Sequence, residues 1–485
     1  MEFNTVKHFI SAHSDCSHVY DFSAIFAARK APLLQKVERA YGIRNKLMSY
    51  TIYLEKFRAI IQSPVVKNIV WLSFDKASRL IIGMVVGIWV ARYLGPAQWG
   101  EINYIVAIIS IVTAIANLGM DGFLVKEITA APHQKEQILG TAFVSRMAFI
   151  PIGLAVVGLY FYLSNAPRQY YLLFALLSPS FLIAPFDVID LEFQARLQSK
   201  LTVISKNIGY FIGAAIKVYF LLTEKSLLWF AAAIGCETVF AYILLIYNYQ
   251  RRQNLFAWSF SREKVRELLV AGWPFMVSNL AVILYMRVDQ LMIGRLAGEA
   301  QLGLFSSATR VTDIFLFIPV AISGSYLSTL VRIKQQQGDE AFVGKIRNFI
   351  EWMTKISIAI AIFVSVFSKQ IIDVLYGPKF SGAEGVLVAH IWALVPVFIG
   401  VAAGQYLVIE NLQRYNIYKT GIGLGINLLL NVILIPEMGA IGAAVATLIS
   451  FYISAIFTNA LFSATRQLFG YQIDGFKRLF SFNNK

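Results

Sequence analysis

Apolar stretches long enough to cross a lipid bilayer follow one another through most of this chain, and that leaves few folds open to it. A helix needs about 20 residues to span the roughly 30 Å hydrocarbon layer. Twelve stretches meet that length, near 68–91, 99–118, 139–163, 170–192, 201–222, 227–249, 268–294, 302–326, 349–368, 384–410, 420–436 and 439–462. Lipid offers backbone groups no water to bond, so stretches of this length are read as helices. With 57% of its 485 residues hydrophobic and 15% charged, the chain is too apolar for a soluble domain and too long for one core. The expected class is an all-α polytopic membrane protein.

The placement of charge fixes the expected orientation. Of the 43 Lys and Arg residues, 29 fall on one side of the predicted spans and 6 on the other. The positive side faces the cytoplasm, which puts both termini there. One missed or invented helix would invert every later loop and scramble this alternation. The net charge of +15 is thereby explained by topology, and no nucleic-acid partner is expected. Cys16 and Cys236 stand in a polar leader and an apolar span, so neither a disulfide framework nor a metal site is expected.

The chain also contains an internal copy. Arg92 to Gly100 reads Arg-Tyr-Leu-Gly-Pro-Ala-Gln-Trp-Gly, and Arg295 to Gly303 reads Arg-Leu-Ala-Gly-Glu-Ala-Gln-Leu-Gly. Each closes one apolar stretch and opens the next, the first between spans one and two, the second between spans seven and eight. This predicts twelve transmembrane helices as two six-helix lobes in parallel repeat around a central cavity. The boundaries expected are a polar basic cytoplasmic leader over 1–67, an N-terminal lobe over 68–249, a cytoplasmic linker over 250–267, a C-terminal lobe over 268–462 and a cytoplasmic tail over 463–485. Met48 stands about twenty residues before the first span, so a chain starting there is expected to insert and function without residues 1–47.

Eight basic residues lie inside predicted spans, where a charge away from water costs at least about 2.5–3.5 kcal/mol unless it faces a wet cavity or a partner. Lys206, Lys217 and Lys355 stand near span ends, where snorkelling to the interface is at least as well supported as a cavity role. The cavity candidates are Lys76, Arg79, Arg146, Arg287 and Arg310. Lys76 and Arg79 share one helical face in mid-span, although Asp75, four residues before Arg79, offers a structural ion pair instead. Acid beside base recurs at Arg287 with Asp289 and at Arg310 with Asp313. Glu237 has no base near it in sequence. Against four deep acids, the eight bases leave a positive surplus that would attract an anion, such as a lipid-linked pyrophosphate.

Asp75, Glu237, Asp289 and Asp313 are the candidates for ion coupling. A neighbouring base disfavours proton carriage at the other three, which singles out Glu237. Catalytic and nucleotide motifs are lacking, and no cofactor or metal is expected. Asp187 and Asp190 read as solvated groups at the end of span four, and the Gly421, Gly423, Gly425 run reads as close helix packing.

The stretch from Trp71 to Lys126 carries a family resemblance. It holds a charged first span (Asp75, Arg79), the hinge Val90-Ala91-Arg92-Tyr93-Leu94-Gly95-Pro96 with Trp99-Gly100, then Asn117-Leu118-Gly119-Met120-Asp121 and Val125-Lys126-Glu127. Tyr376-Gly377-Pro378-Lys379-Phe380 and Ile441-Gly442-Ala443-Ala444 continue it. These residues resemble the polysaccharide (O-antigen type) flippases of the multidrug/oligosaccharidyl-lipid/polysaccharide exporter superfamily, over residues 60 to 470. The resemblance implies a hinge motif at Arg92, Gly95, Pro96 and Gly100, and alternating access of a central cavity. It further implies transport of undecaprenyl-pyrophosphate-linked oligosaccharide from cytoplasm to periplasm across a bacterial inner membrane, for O-antigen, lipopolysaccharide, capsule or exopolysaccharide synthesis. Expected partners are that lipid-linked substrate, membrane lipids, and the polysaccharide polymerase with its chain-length machinery. No enzymatic activity is expected. The rival readings are a cation-coupled drug exporter of the same superfamily and a membrane-embedded polysaccharide polymerase.

Overall fold

The computed structural model describes residues 64–480, with side chains from Trp71 onward except those at 72–77, 80, 81, 325, 479 and 480. The leader up to residue 63, the start at Met48 and the side chains of Asp75 and Lys76 therefore lie outside the described residues. By internal contacts the chain divides into Met1–Ile69 and Val70–Lys485, and the packing below belongs to the second unit.

Every described element is helical. In chain order they are α1 (Pro64–Ala116), α2 (Asp121–Ala130), α3 (Lys135–Leu163), α4 (Arg168–Leu177), α5 (Pro179–Ile183), α6 (Val188–Ala195), α7 (Lys200–Leu222) and α8 (Leu227–Gln250). A second series follows: α9 (Arg262–Leu296), α10 (Glu299–Phe315), α11 (Phe317–Val366), α12 (Ser368–Leu375), α13 (Ala383–Ile391), α14 (Leu394–Ile409), α15 (Tyr415–Tyr452), α16 (Thr458–Leu461) and α17 (Arg466–Phe480). A π-helical turn, Ile453–Phe457, joins α15 to α16.

Nine continuous helical segments among the described residues are long and apolar enough to cross a membrane. Three of them, Ile82–Ala130, Glu299–Val366 and Tyr415–Leu461, fold back on themselves. In α1 the turn is at Gly95, and the Arg310 side chain reaches both Gly87 and Trp99, which a straight helix would hold about 18 Å apart at 1.5 Å per residue. In α11 the turn is at Gly338, across which Tyr326 and Phe349 stack with ring centroids 4.5 Å apart. In α15 it is at Gly439, and Ser454 donates back to the carbonyl of Lys419 over 2.9 Å. The turns at Gly95 and Gly338 fall in the predicted breaks between spans one and two and between eight and nine, and the turn at Gly439 is at the first residue of predicted span twelve.

Leaving α1 aside, packing runs within two sets of helices, α2 to α8 and α9 to α17, joined where α3 meets α9. Small residues make the closest approaches inside each set, as expected where lipid removes the hydrophobic drive between helices. Gly209 of α7 faces Ala241 of α8, and Gly442 lies against the Leu434 carbonyl. Of the Gly421, Gly423, Gly425 run only Gly423 makes such an approach, against Ser454 and Tyr285.

The residues between α8 and α9 lie on α3. Ser259 N–H donates to the Glu136 carbonyl at 3.2 Å, and a side chain at Gly140 would collide with Ser259. Ser261 donates its N–H to Thr141 at 3.2 Å and caps α9 by accepting from Lys264 N–H at 3.3 Å. The predicted tail is a docked helix: Leu468 of α17 is fully buried, Gln472 accepts from Asn459 at 2.9 Å, and Arg478 donates to Glu351 at 3.4 Å.

Candidate substrate cavity

The repeated motif builds one end of the bundle. Its first glycines, Gly95 and Gly298, share one backbone conformation, with φ, ψ of 79°, 172° and 88°, 172°. That region is open to glycine almost alone, so both copies turn the chain in the same way. The second glycines then bring the two copies together. A Cβ at Gly100 would strike the Glu299 carbonyl, and one at Gly303 would strike the Pro96 carbonyl, a reciprocal contact between equivalent positions. Around it, Gln169 donates to Glu101 and Tyr170 to Glu299, each at 2.5 Å. Arg92 extends the same contact by donating to the Val374 carbonyl at 3.4 Å.

Next to this crossing, the first arm of α1, α7 and α10 form an open cavity of 390 Å³ lined by Arg79, Gly83, Met84, Tyr210, Arg310, Asp313 and Ile314. Arg79 lies over the Tyr210 ring at 5.4 Å and Arg310 over the Trp99 ring at 5.3 Å. Gly87 leaves the room in which the Arg310 guanidinium rests on α1, since a Cβ there would sit 2.9 Å from Cζ. Cation–π contact holds each arginine in place. Asp313 is exposed to this space.

Asp313 also lines a second pocket, of 150 Å³, among α9, α10, α13, α14 and α15. Arg287 stands in it and donates to Gln290 at 3.3 Å. Asp289 is buried at its wall, where it accepts from Asn431 and from Thr447, both at 2.5 Å. Asn431 in turn donates to Asn427 at 3.1 Å. Of the candidates from sequence, Arg79, Arg287, Arg310, Asp289 and Asp313 are thus brought to two adjoining cavities.

Other expectations are corrected. Arg146 is buried within the first set of helices and donates to Asp121 at 2.7 Å, outside the lining of these two cavities. Glu237, singled out because no base is near it in sequence, accepts from Lys217 at 2.5 Å. The two residues lie on neighbouring helices, α8 and α7, which sequence spacing cannot show. That pair also removes Lys217 from the snorkelling group. Asp289, paired in sequence with Arg287, is instead held by neutral side chains. Lys206 does not snorkel either: it binds Asp187 at 3.0 Å and Asp190 at 2.8 Å, and Tyr242 donates to Asp187 at 3.0 Å, so these acids form a buried network rather than a solvated helix end. Lys355 does keep to the surface, paired with Glu351 at 2.6 Å.

The sequence reading missed two residues. Glu192 is fully buried, accepting from Arg196 at 2.7 Å, Lys135 at 3.4 Å and Tyr249 at 2.6 Å. Its i,i+4 spacing to Arg196 was the signal available. His390 lines the second pocket, its ring edge-on to Phe305 at 5.8 Å. No cluster of three metal-ligating side chains occurs among the described residues.

Two family descriptions match the chain: polysaccharide biosynthesis protein over residues 65–327, and MatE over residues 274–433. Among curated relatives, a probable low-salt glycan biosynthesis flippase of Haloferax volcanii, Agl15, is 25% identical over 373 residues, 76% of each chain. A probable flippase of the same organism, AglR, is 30% identical over 193 residues, 38% of this chain and 39% of that one. An inward-facing multidrug resistance MATE family transporter of the MOP superfamily aligns with a TM-score of 0.65 at 17% identity, covering 84% of this chain and 99% of that one. Lipid II flippase MurJ in an inward closed conformation aligns with a TM-score of 0.63 at 14% identity, covering 86% and 94%. The chain shares its multi-pass helical fold with these transporters, and a match across more than half of its length shows that it belongs to the polysaccharide biosynthesis protein family.

Proposed function

We propose that this protein is a flippase that carries the polar head of a lipid-linked oligosaccharide across the membrane, cytoplasm to outer face, while the polyprenyl tail stays in the bilayer. The observation that carries the reading is the meeting of Arg79 and Arg310, from the two halves of the repeat, in one cavity. Guanidinium groups bind phosphate oxygens in pairs, and in a confined site each such contact is worth roughly twice a neutral hydrogen bond. With Arg287 nearby and Asp313 the acid between them, the local charge favours a phosphate or pyrophosphate anchor. The relatives named as flippases support the same reading.

We read the chain as twelve spans in two lobes by dividing the three folded-back helices at Gly95, Gly338 and Gly439, and place both termini and the 250–267 linker in the cytoplasm. The reciprocal contact of Gly100 and Gly303 is then an outer closure that separates when the cavity opens outward. The carrier class is a polyprenyl phosphate or pyrophosphate. An undecaprenyl carrier in a bacterial inner membrane, and O-antigen as the product, are the bacterial form of this cargo, whereas the curated relatives are archaeal. A polymerase and chain-length machinery are partners where the exported units are joined outside the cell. The protein acts as a transporter and not as an enzyme.

For ion coupling we assign Asp289 in place of Glu237, because Lys217 already neutralises Glu237 while Asp289 is held by uncharged Asn431 and Thr447. Asp75 lies outside the described side chains.

Reconstituted protein should move a fluorescent polyprenyl-pyrophosphate oligosaccharide between leaflets, and Arg79→Ala and Arg310→Ala should each remove most of that activity at unchanged protein level. Asp289→Asn should abolish its dependence on an imposed ion gradient. Transport of cationic dyes with no movement of the lipid-linked sugar would support the drug-exporter reading instead.

A further inference from the structure

We propose that the 150 Å³ pocket beside the arginine cavity is a sugar subsite, which takes the first sugar ring attached to the phosphate. This rests on the proposed function and names the part of the cargo that the pocket reads. Asp313 lines both spaces, so a head group whose phosphate lies between Arg79 and Arg310 has its next unit at the pocket's mouth.

The chemistry of the lining selects among ligands. A simple anion entering the pocket meets two carboxylates, Asp289 and Asp313, and a simple cation meets Arg287. A neutral polyol suits both signs at once: a carboxylate accepts from adjacent hydroxyls, while guanidinium and amide groups donate to their lone pairs. Gln290, buried, supplies that amide.

His390 supplies the second, independent observation. It is 91% buried on α13, and its Nδ1 has no hydrogen-bond partner among the described residues. Leaving such a group unmatched costs about 1–3 kcal/mol, which a ligand hydroxyl would recover after a small turn of the ring toward the pocket. The apolar part of the lining completes the match. Tyr285 packs edge-on to Phe451 at 5.0 Å and His390 edge-on to Phe305, which leaves aromatic surface for the C–H face of a sugar ring. The volume accommodates one ring rather than a chain, so specificity is set at the phosphate-proximal sugar while the outer sugars go unread.

The test measures binding to the purified full-length protein of inorganic pyrophosphate, of a panel of hexose and N-acetylhexosamine 1-diphosphates, and of the matching methyl glycosides. At least one sugar 1-diphosphate should bind about tenfold tighter than pyrophosphate, a difference of roughly 1.4 kcal/mol. His390→Phe should erase that gain and leave pyrophosphate binding unchanged, with folding checked by thermal melting. If pyrophosphate binds and no sugar improves on it, the subsite is refuted and the phosphate reading stands. If methyl glycosides bind and depend on His390 while pyrophosphate does not bind, the subsite stands and the phosphate reading falls. If no probe binds, both fall.

Discussion

Arg310 is the residue on which the transport reading turns, because it reaches from α10 across to α1 and rests on Trp99 in the space that Gly87 leaves. Losing a charge-assisted contact of about 1.5–3 kcal/mol should slow transport about tenfold or more for Arg310→Ala. Arg310→Lys should retain more, since it keeps the charge and loses only the bidentate geometry. Leaflet exchange of the lipid-linked sugar reads both. Arg146→Ala should behave differently: it strips the partner from Asp121 and opens a buried gap, so membrane abundance should fall while transport per molecule stays near the parent. The Lys217 and Glu237 pair makes a similar claim. Removing either partner alone should cost about 3–5 kcal/mol, whereas replacing both with leucine or methionine should recover much of it. Thermal melting of the three variants in detergent measures this, and equal destabilisation in single and double variants would argue against a coupled pair.

At the scale of elements, the crossing of the two repeat copies is, under the proposed function, the contact that transport must make and break. Gly100 and Gly303 let backbone meet backbone there, with the carbonyls of Glu299 and Pro96 where side chains would otherwise stand. Gly303→Leu should therefore hold the outer closure apart. Transport should drop at normal protein level, and a cysteine placed at Glu101 should label faster with a membrane-impermeant thiol reagent than in the parent. Unchanged labelling would mean that the crossing is not the closure. The end of the bundle at the 250–267 linker has a different character. The linker docked on α3 and the Glu192 and Lys206 networks brace the first set of helices by hydrogen bonds and ion pairs, which suits a lobe that moves as a rigid body.

For the molecule as a whole, the topology is testable at three points. Reporter fusions after Arg262 and after Asn484 should read cytoplasmic, and one after Gly298 should read outside. The 29 to 6 distribution of basic residues demands this pattern, and an outside reading at the C-terminus would require one helix more or fewer. Rigid-body rocking of two lobes about the Gly100 and Gly303 crossing is the motion expected of such a repeat.

Local and periodic signals were legible without coordinates. Apolar length marked the helices, charge asymmetry set the expected sides, and the copy of Arg92–Gly100 at Arg295–Gly303 marked two corners that prove to share one glycine conformation. Each of these depends on residues close together in the chain or on a simple count. Which charge meets which was decided by tertiary structure alone. Glu237 looked solitary and is paired with Lys217, Asp289 looked paired with Arg287 and is held by Asn431 and Thr447, and Arg146 belongs to Asp121. The reason is geometric: inside a helical bundle a side chain finds its partners on neighbouring helices, and the rotation and depth of each helix, set by the packing of small residues along its whole length, determine which face meets which.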